Sequence, residues 1–169
     1  MVAKNSIVPR SFLLHIMMHG ALMRDSSLPI EIARQMRAYF EHIGGATTRY
    51  FRGGSGSAVL LLHGVAMTAD SWCRNIEPLA RHFDVIAPDL LDNGFTGPGA
   101  YRNGPPHEAI LDHLQSLIAH LGLRDVALVG SSFGAALSIL LYHRAPTVFS
   151  AMVLVSSGST FKSAEELVD

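Results

Sequence analysis

The sequence predicts an α/β fold, a mostly parallel sheet with helices on both faces, and two observations predict it. Beyond Gly45, short β-rich runs alternate with stretches of helical periodicity, the order that builds a parallel sheet from crossover helices. One of those runs, Ala58–Leu62, is apolar without interruption, as a strand covered on both sides must be. The composition agrees: 169 residues, 49% apolar and 16% charged, suffice for one domain with a real core and exclude wholesale disorder. Thirteen Lys and Arg against fourteen Asp and Glu leave a net charge of −1 with no block of one sign, which argues against a nucleic-acid backbone or an anionic membrane surface as partner. The single cysteine, Cys73, excludes an internal disulfide framework and fits a reducing, cytoplasmic setting; the longest apolar runs are too short to span a bilayer.

Taken in order, Lys4 and Arg10 precede an apolar stretch over residues 12–18 that His15 interrupts and His19 follows, so it reads as a docking helix or a segment ahead of the domain rather than a signal sequence. Ile32, Met36, Phe40 and Ile43 recur at helical steps, which predicts one amphipathic helix ended by Gly44-Gly45 and makes residues 1–44 an N-terminal helical extension of a domain at 45–169. Thr47–Phe51 is expected as a strand, Gly53 to Gly56 as a turn, Ala58–Leu62 as a strand and Ser71–Ala80 as a helix. Val85–Ala87 forms the next strand, followed by a loop dense in Gly and Pro. Ile110, Leu114, Leu117 and Leu121 mark a helical face that stops at Gly122. Val126–Val129 is a strand, a helix follows Ser132 and ends before Pro146, and Ala151–Val155 is the last strand.

The chemistry concentrates at Gly130-Ser131-Ser132-Phe133-Gly134, a G-x-S-x-G sequence between a strand and a helix. A serine on so sharp a turn is lifted above the sheet, and glycines two residues to either side let the chain fold back, so Ser132 is the candidate nucleophile. The amide of Phe133, opening the helix, points where a substrate carbonyl would gather negative charge. A second donor is expected from the loop after another central strand, and Leu62-His63-Gly64-Val65 supplies it in the Val65 amide.

With these residues in place, the stretch from Gly45 to Gly158, about two thirds of the chain, resembles the N-terminal part of an α/β-hydrolase domain. The His63-Gly64 turn, the Asp89–Thr96 loop and the Gly130–Gly134 elbow stand in the family's order and approximate separation. Asp92 departs from the pattern, occupying a place where many members have glycine. A serine elbow implies esterases, peptidases or carbon–carbon bond hydrolases rather than dehalogenases and epoxide hydrolases, whose elbows carry a carboxylate. Phe95-Thr96 resembles hydrolases of ring-cleavage products. The resemblance implies a small-molecule carbonyl substrate and an acyl-enzyme.

Other chemistry reads as structural. His63 lies too close to its strand to serve as base and is expected to hold the neighbouring loop by hydrogen bonds. No short-spaced ligand set among the nine histidines suggests a metal, His113 and His120 are expected on the polar side of their helix, and no cofactor is implied. Cys73 beside Trp72 reads as a packed helix residue. The family's chain order, Ser, acid, His, is incomplete here. His143 alone among the histidines follows Ser132, eleven residues along one helix and so about 16 Å away at 1.5 Å per residue. The later acids, Glu165, Glu166 and Asp169, lie in a terminal segment that resembles the start of a lid helix. The expectation is therefore a truncated hydrolase core, inactive as this chain, with an unpaired edge on its last strand open to self-association; a pseudohydrolase that binds a small molecule or protein is the alternative.

Overall fold

The computed structural model describes residues 36–99 and 105–157. Six strands form one sheet in the order β1-β2-β4-β3-β5-β6. β1 (Arg37–Ile43), β2 (Ala46–Gly53) and β4 (Asp84–Pro88) pair antiparallel, whereas β4, β3 (Ala58–Leu62), β5 (Val126–Ser131) and β6 (Phe149–Val155) run parallel. Among the described residues the helices are α1 (Cys73–Ala80), which continues a 3₁₀ turn at Ala69–Trp72, α2 (Pro106–His120) and α3 (Phe133–Arg144).

Alternation along the strands assigns the two faces. Leu60, Leu62, Ile86 and Leu128 pack with Leu114 and Leu117 of α2 and Leu137 and Leu141 of α3. Val59, Leu61, Val85, Ala87 and Val129 pack with Ile76 and Leu79 of α1. Leu60, Leu61 and Leu62 are each fully buried, so β3 is the doubly covered centre that its unbroken apolar run predicts.

One expectation fails. Residues 37–43 are a strand, not the end of an amphipathic helix: Gly44 and Gly45, at φ +57° and +84°, turn the chain back so that β1 pairs with β2 from Arg37↔Arg52 to Ile43↔Ala46. Tyr39 then stacks on Tyr50 with ring centroids 5.1 Å apart, and Ile43 is buried, but Phe40, a member of the supposed helical stripe, stands exposed. The expected docking helix near the N-terminus, the earlier part of that stripe and the lid-like terminal segment lie outside the described residues. At the opposite border, β6 pairs only with β5 among the described residues. No helix among them is long and apolar enough to cross a membrane.

Candidate active site

The parallel strands deliver two turns to one end of the sheet. At the first, Ser132 joins β5 to α3 with φ +52° and ψ −113°, a left-handed conformation that costs a non-glycine residue about 1–3 kcal/mol, and it is exposed. Its surroundings hold it there. The Ser132 N–H donates to Val155 O of β6 at 2.9 Å, and its carbonyl accepts the N–H groups of Ala135 at 2.9 Å and Ala136 at 3.3 Å. The flanking glycines are required by contact rather than by φ. A Cβ on Gly130 would lie 2.3 Å from Gly134 O, and one on Gly134 would lie 2.2 Å from Leu62 O. The first turn of α3 therefore sits directly on the ends of β5 and β3, which no side chain at either position would allow.

At the second turn, β3 runs into His63, which is fully buried. The Leu90 N–H donates to His63 Nε2 at 2.9 Å, so the ring proton resides on Nδ1 and is donated to Gly64 O at 2.8 Å. Burial holds the imidazole pKa below its ordinary value, and with both nitrogens engaged the ring is a neutral brace rather than a base. The Gly64 carbonyl also accepts the Met67 N–H at 3.3 Å. Because the 64–65 peptide is trans, the Val65 N–H is aimed opposite to that doubly held carbonyl. A Cβ built on Gly64 would lie 3.6 Å from Ser132 Cβ, so this loop and the elbow are in direct proximity. Phe133 opens α3, and its N–H belongs to the first-turn amides that a helix cannot satisfy internally. Ser132, Phe133 and the Gly64–Val65 peptide thus come together. His143 does not: it is exposed near the far end of α3.

Two further expectations are corrected. His113 is buried, with Nε2 2.8 Å from Thr48 Oγ1 and its pKa held down by burial, because it sits on the same stripe of α2 as Ile110, Leu114 and Leu117. His120 does lie at the surface, 2.9 Å from Glu41. Cys73 is exposed at the first position of α1, which turns Ile76 and Leu79 inward instead. Among the described residues no cluster of His, Cys, Asp or Glu is arranged to hold a metal ion.

The sequence did not signal an ionic network built around a buried arginine beside the site. Arg49 of β2 makes a bidentate pair with Asp70, at 2.7 and 3.0 Å, and reaches Asp89 at 3.2 Å, while its guanidinium lies 4.5 Å from the Phe51 ring centre and 5.0 Å from that of Phe95. Asp89, fully buried, also accepts the Ala69 N–H at 2.7 Å and the Phe95 N–H at 2.8 Å. A charged residue inside a strand was the one available clue. Asp92, in the glycine-like place, adopts φ +63° and accepts the Gly99 N–H at 2.8 Å, so the turn keeps its left-handed form.

A family model described as the alpha/beta hydrolase fold matches residues 57–169. The chain belongs to the α/β-hydrolase fold family. It is 36% identical over 142 residues to 2-hydroxy-6-oxo-2,4-heptadienoate hydrolase of Pseudomonas putida, covering 81% of this chain and 49% of that protein. A structure of the meta-cleavage product hydrolase CumD of Pseudomonas fluorescens IP01 superposes with a TM-score of 0.62 at 27% identity, over 71% of this chain and 44% of that one. Epoxide hydrolase VrEH1 of Vigna radiata gives 0.68 at 25% identity, over 78% and 44%. The α/β-hydrolase portion present here is partial: the chain spans about a third to a half of the curated relatives it matches.

Proposed function

We propose that this α/β-hydrolase chain carries the nucleophile half of a serine hydrolase that cleaves a small carbonyl compound, at an ester, amide or carbon–carbon bond, through an acyl-enzyme. The observation that carries the reading is the exposed left-handed Ser132 with the Gly64–Val65 loop against it. Ser132 Oγ bonds to the substrate carbonyl carbon, and the amides of Phe133 and Val65 receive the charge that moves onto the carbonyl oxygen. The serine proton passes to a base and then to the departing group as its bond to carbon breaks; water next displaces the acyl group from Ser132. A serine rather than a carboxylate at the elbow favours this acyl chemistry over the alkyl-enzyme chemistry of epoxide hydrolases. The relatives named as hydrolases of 2-hydroxy-6-oxo dienoates favour a ketone substrate and carbon–carbon cleavage.

We also propose that the 169-residue chain does not turn over by itself. A serine hydroxyl needs a histidine to take its proton, and His143, the histidine that follows Ser132, is exposed near the far end of α3. We propose a cytoplasmic setting as well, and the outer edge of β6, unpaired among the described residues, supports self-association. Chemical rescue tests the reading. With a fluorophosphonate, we expect slow modification of Ser132 that accelerates on addition of imidazole as a diffusible base and is absent in Ser132→Ala. Fast modification without imidazole defeats the claim of inactivity; failure of imidazole to accelerate it, or labelling that survives in Ser132→Ala, defeats the nucleophile assignment.

A further inference from the structure

The loop over residues 63–70 carries the Val65 amide, and its middle lies at the surface. Val65 and Met67 are 71% and 47% exposed, and Ala66 adopts φ +54°, so few packing contacts fix the segment. Its orientation is set at its two ends. At the entrance, His63 is tied to Leu90 N–H and to Gly64 O. At the exit, the Ala69 N–H is tied to Asp89, and the Asp70 carboxylate, which also accepts the Thr68 hydroxyl at 2.9 Å, is gripped by Arg49. Both ends are thus fastened to consecutive residues, Asp89 and Leu90, that follow β4.

Of the two exit fastenings, the grip on Asp70 depends on a single side chain, Arg49. Asp89 is a fully buried carboxylate, and Arg49 is the cation against it. The planar guanidinium spans Asp89 and Asp70 with its carbon over the rings of both Phe51 and Phe95, contacts that restrict the direction of its fork. Asp70 is itself more than half exposed, and without that fork its carboxylate would keep only the Thr68 hydroxyl.

We propose that Arg49 is a positioning residue for the oxyanion donor: by joining Asp89 to Asp70 it fixes the exit of the 63–70 loop and so the direction of the Val65 N–H beside Ser132. This rests on the acyl-transfer reading for its catalytic meaning, but its structural core does not. The Arg49 side chain is engaged by Asp70, Asp89, Phe51 and Phe95 rather than by Ser132; it acts through the Asp70 carboxylate and the Ala69–Asp89 bond. Lysine at the same place would keep the charge facing Asp89 yet lose the bidentate fork and the stacked plane, so the geometric role separates from simple charge compensation.

The test uses two variants of the 169-residue chain, Arg49→Lys and Asp70→Asn; the second alters an exposed carboxylate and leaves the core untouched. Amide NMR relaxation of the free protein reads the loop directly. We expect order parameters at Val65, Ala66 and Met67 to fall from about 0.85 toward 0.6 in Arg49→Lys, and part of the way in Asp70→Asn, with the amides of β3 and β5 unchanged. Imidazole-assisted phosphonylation of Ser132 by a fluorophosphonate, in which fluoride leaves phosphorus and imidazole takes the serine proton, reads the chemical consequence. We expect its limiting rate to fall on the order of tenfold or more in Arg49→Lys, with the half-saturating reagent concentration little changed. Unchanged loop order parameters in both variants overturn the proposal, as does a wild-type limiting rate accompanied only by a lower melting temperature. Absence of any Ser132 adduct in the wild-type chain defeats the acyl-transfer reading instead, and the relaxation measurement still decides the role of Arg49.

Discussion

Gly134→Ala is the sharpest test of how this fold holds its elbow. The added methyl would stand 2.2 Å from Leu62 O, 2.6 Å from Leu62 C and 2.7 Å from His63 O, all backbone atoms at the end of a fully buried strand, so no rotamer change relieves the overlap. Reaching 3.0 Å, the floor for real Cβ contacts, requires α3 to retreat by about 0.8 Å. Overpacking of this kind costs about 3 kcal/mol at the upper end of the usual range, and the gain from alanine in a helix returns about 1 kcal/mol, leaving a loss of about 2 kcal/mol. For a domain of this size that lowers the melting temperature by roughly 5–10 °C, measurable by circular dichroism. The retreat also carries the Ser132–Phe133 peptide away from the Gly64–Val65 loop, and a shift approaching 1 Å at a reacting centre costs on the order of a hundredfold in the imidazole-assisted labelling rate. Gly97→Ala is the control, since its Cβ would meet Thr47 N at an ordinary 3.6 Å. If Gly134→Ala melts with the wild type and labels at the wild-type rate, the reasoning about close approach is refuted.

Backbone strain at φ +52° makes Ser132→Gly at least as stable as Ser132→Ala in urea unfolding; elsewhere in an ordered chain glycine is the weaker of the two by about 0.5–1 kcal/mol, and that ordinary order here would show the strain to be absent. His63 and His113 are both held by burial below the usual histidine pKa of about 6.5. Above that pH neither state carries the extra proton and their contribution is fully present; below it the unfolded chain takes up protons that the buried rings refuse, so stability falls by up to about 1.4 kcal/mol per pH unit per histidine until the folded-state values are passed. A urea midpoint that does not fall between pH 6.5 and 5, or an acid slope as steep in His113→Phe as in wild type, contradicts this. Leu154→Lys places a charge on the half-exposed edge strand β6 and should abolish concentration-dependent association in sedimentation velocity; a wild-type chain that is monomeric at every concentration removes the basis for an adhesive edge.

What was legible in the sequence and what was not divides by the range of the interaction that decides each element. β3 and the elbow announce themselves through residue type: five consecutive apolar residues suit a strand with two covered faces, and Gly130 is fixed by Gly134 within the turn, while Gly134, though its contacts are with the distant Leu62 and His63, stands in the same pentapeptide. β1 was misread because an edge strand is held by its partner, not by its own pattern. Its inward set, Tyr39, Glu41 and Ile43, includes a carboxylate whose partners are Tyr50 and His120, so the expected two-residue alternation never appears, and the exposed Phe40 completes a false helical stripe with Ile43. His113 carried a usable signal, since it lies three residues after Ile110 and four before Leu117; residue type, not position, misled. Arg49 carried almost none. Its partners lie 21 and 40 residues away, on loops after two different strands, and only the order β2-β4-β3 makes them neighbours. Interactions that orient the site are non-local in this way because they must join loops which the sheet alone brings together, so a nucleophile can be named from a pentapeptide while the residues that aim its surroundings emerge only with the topology.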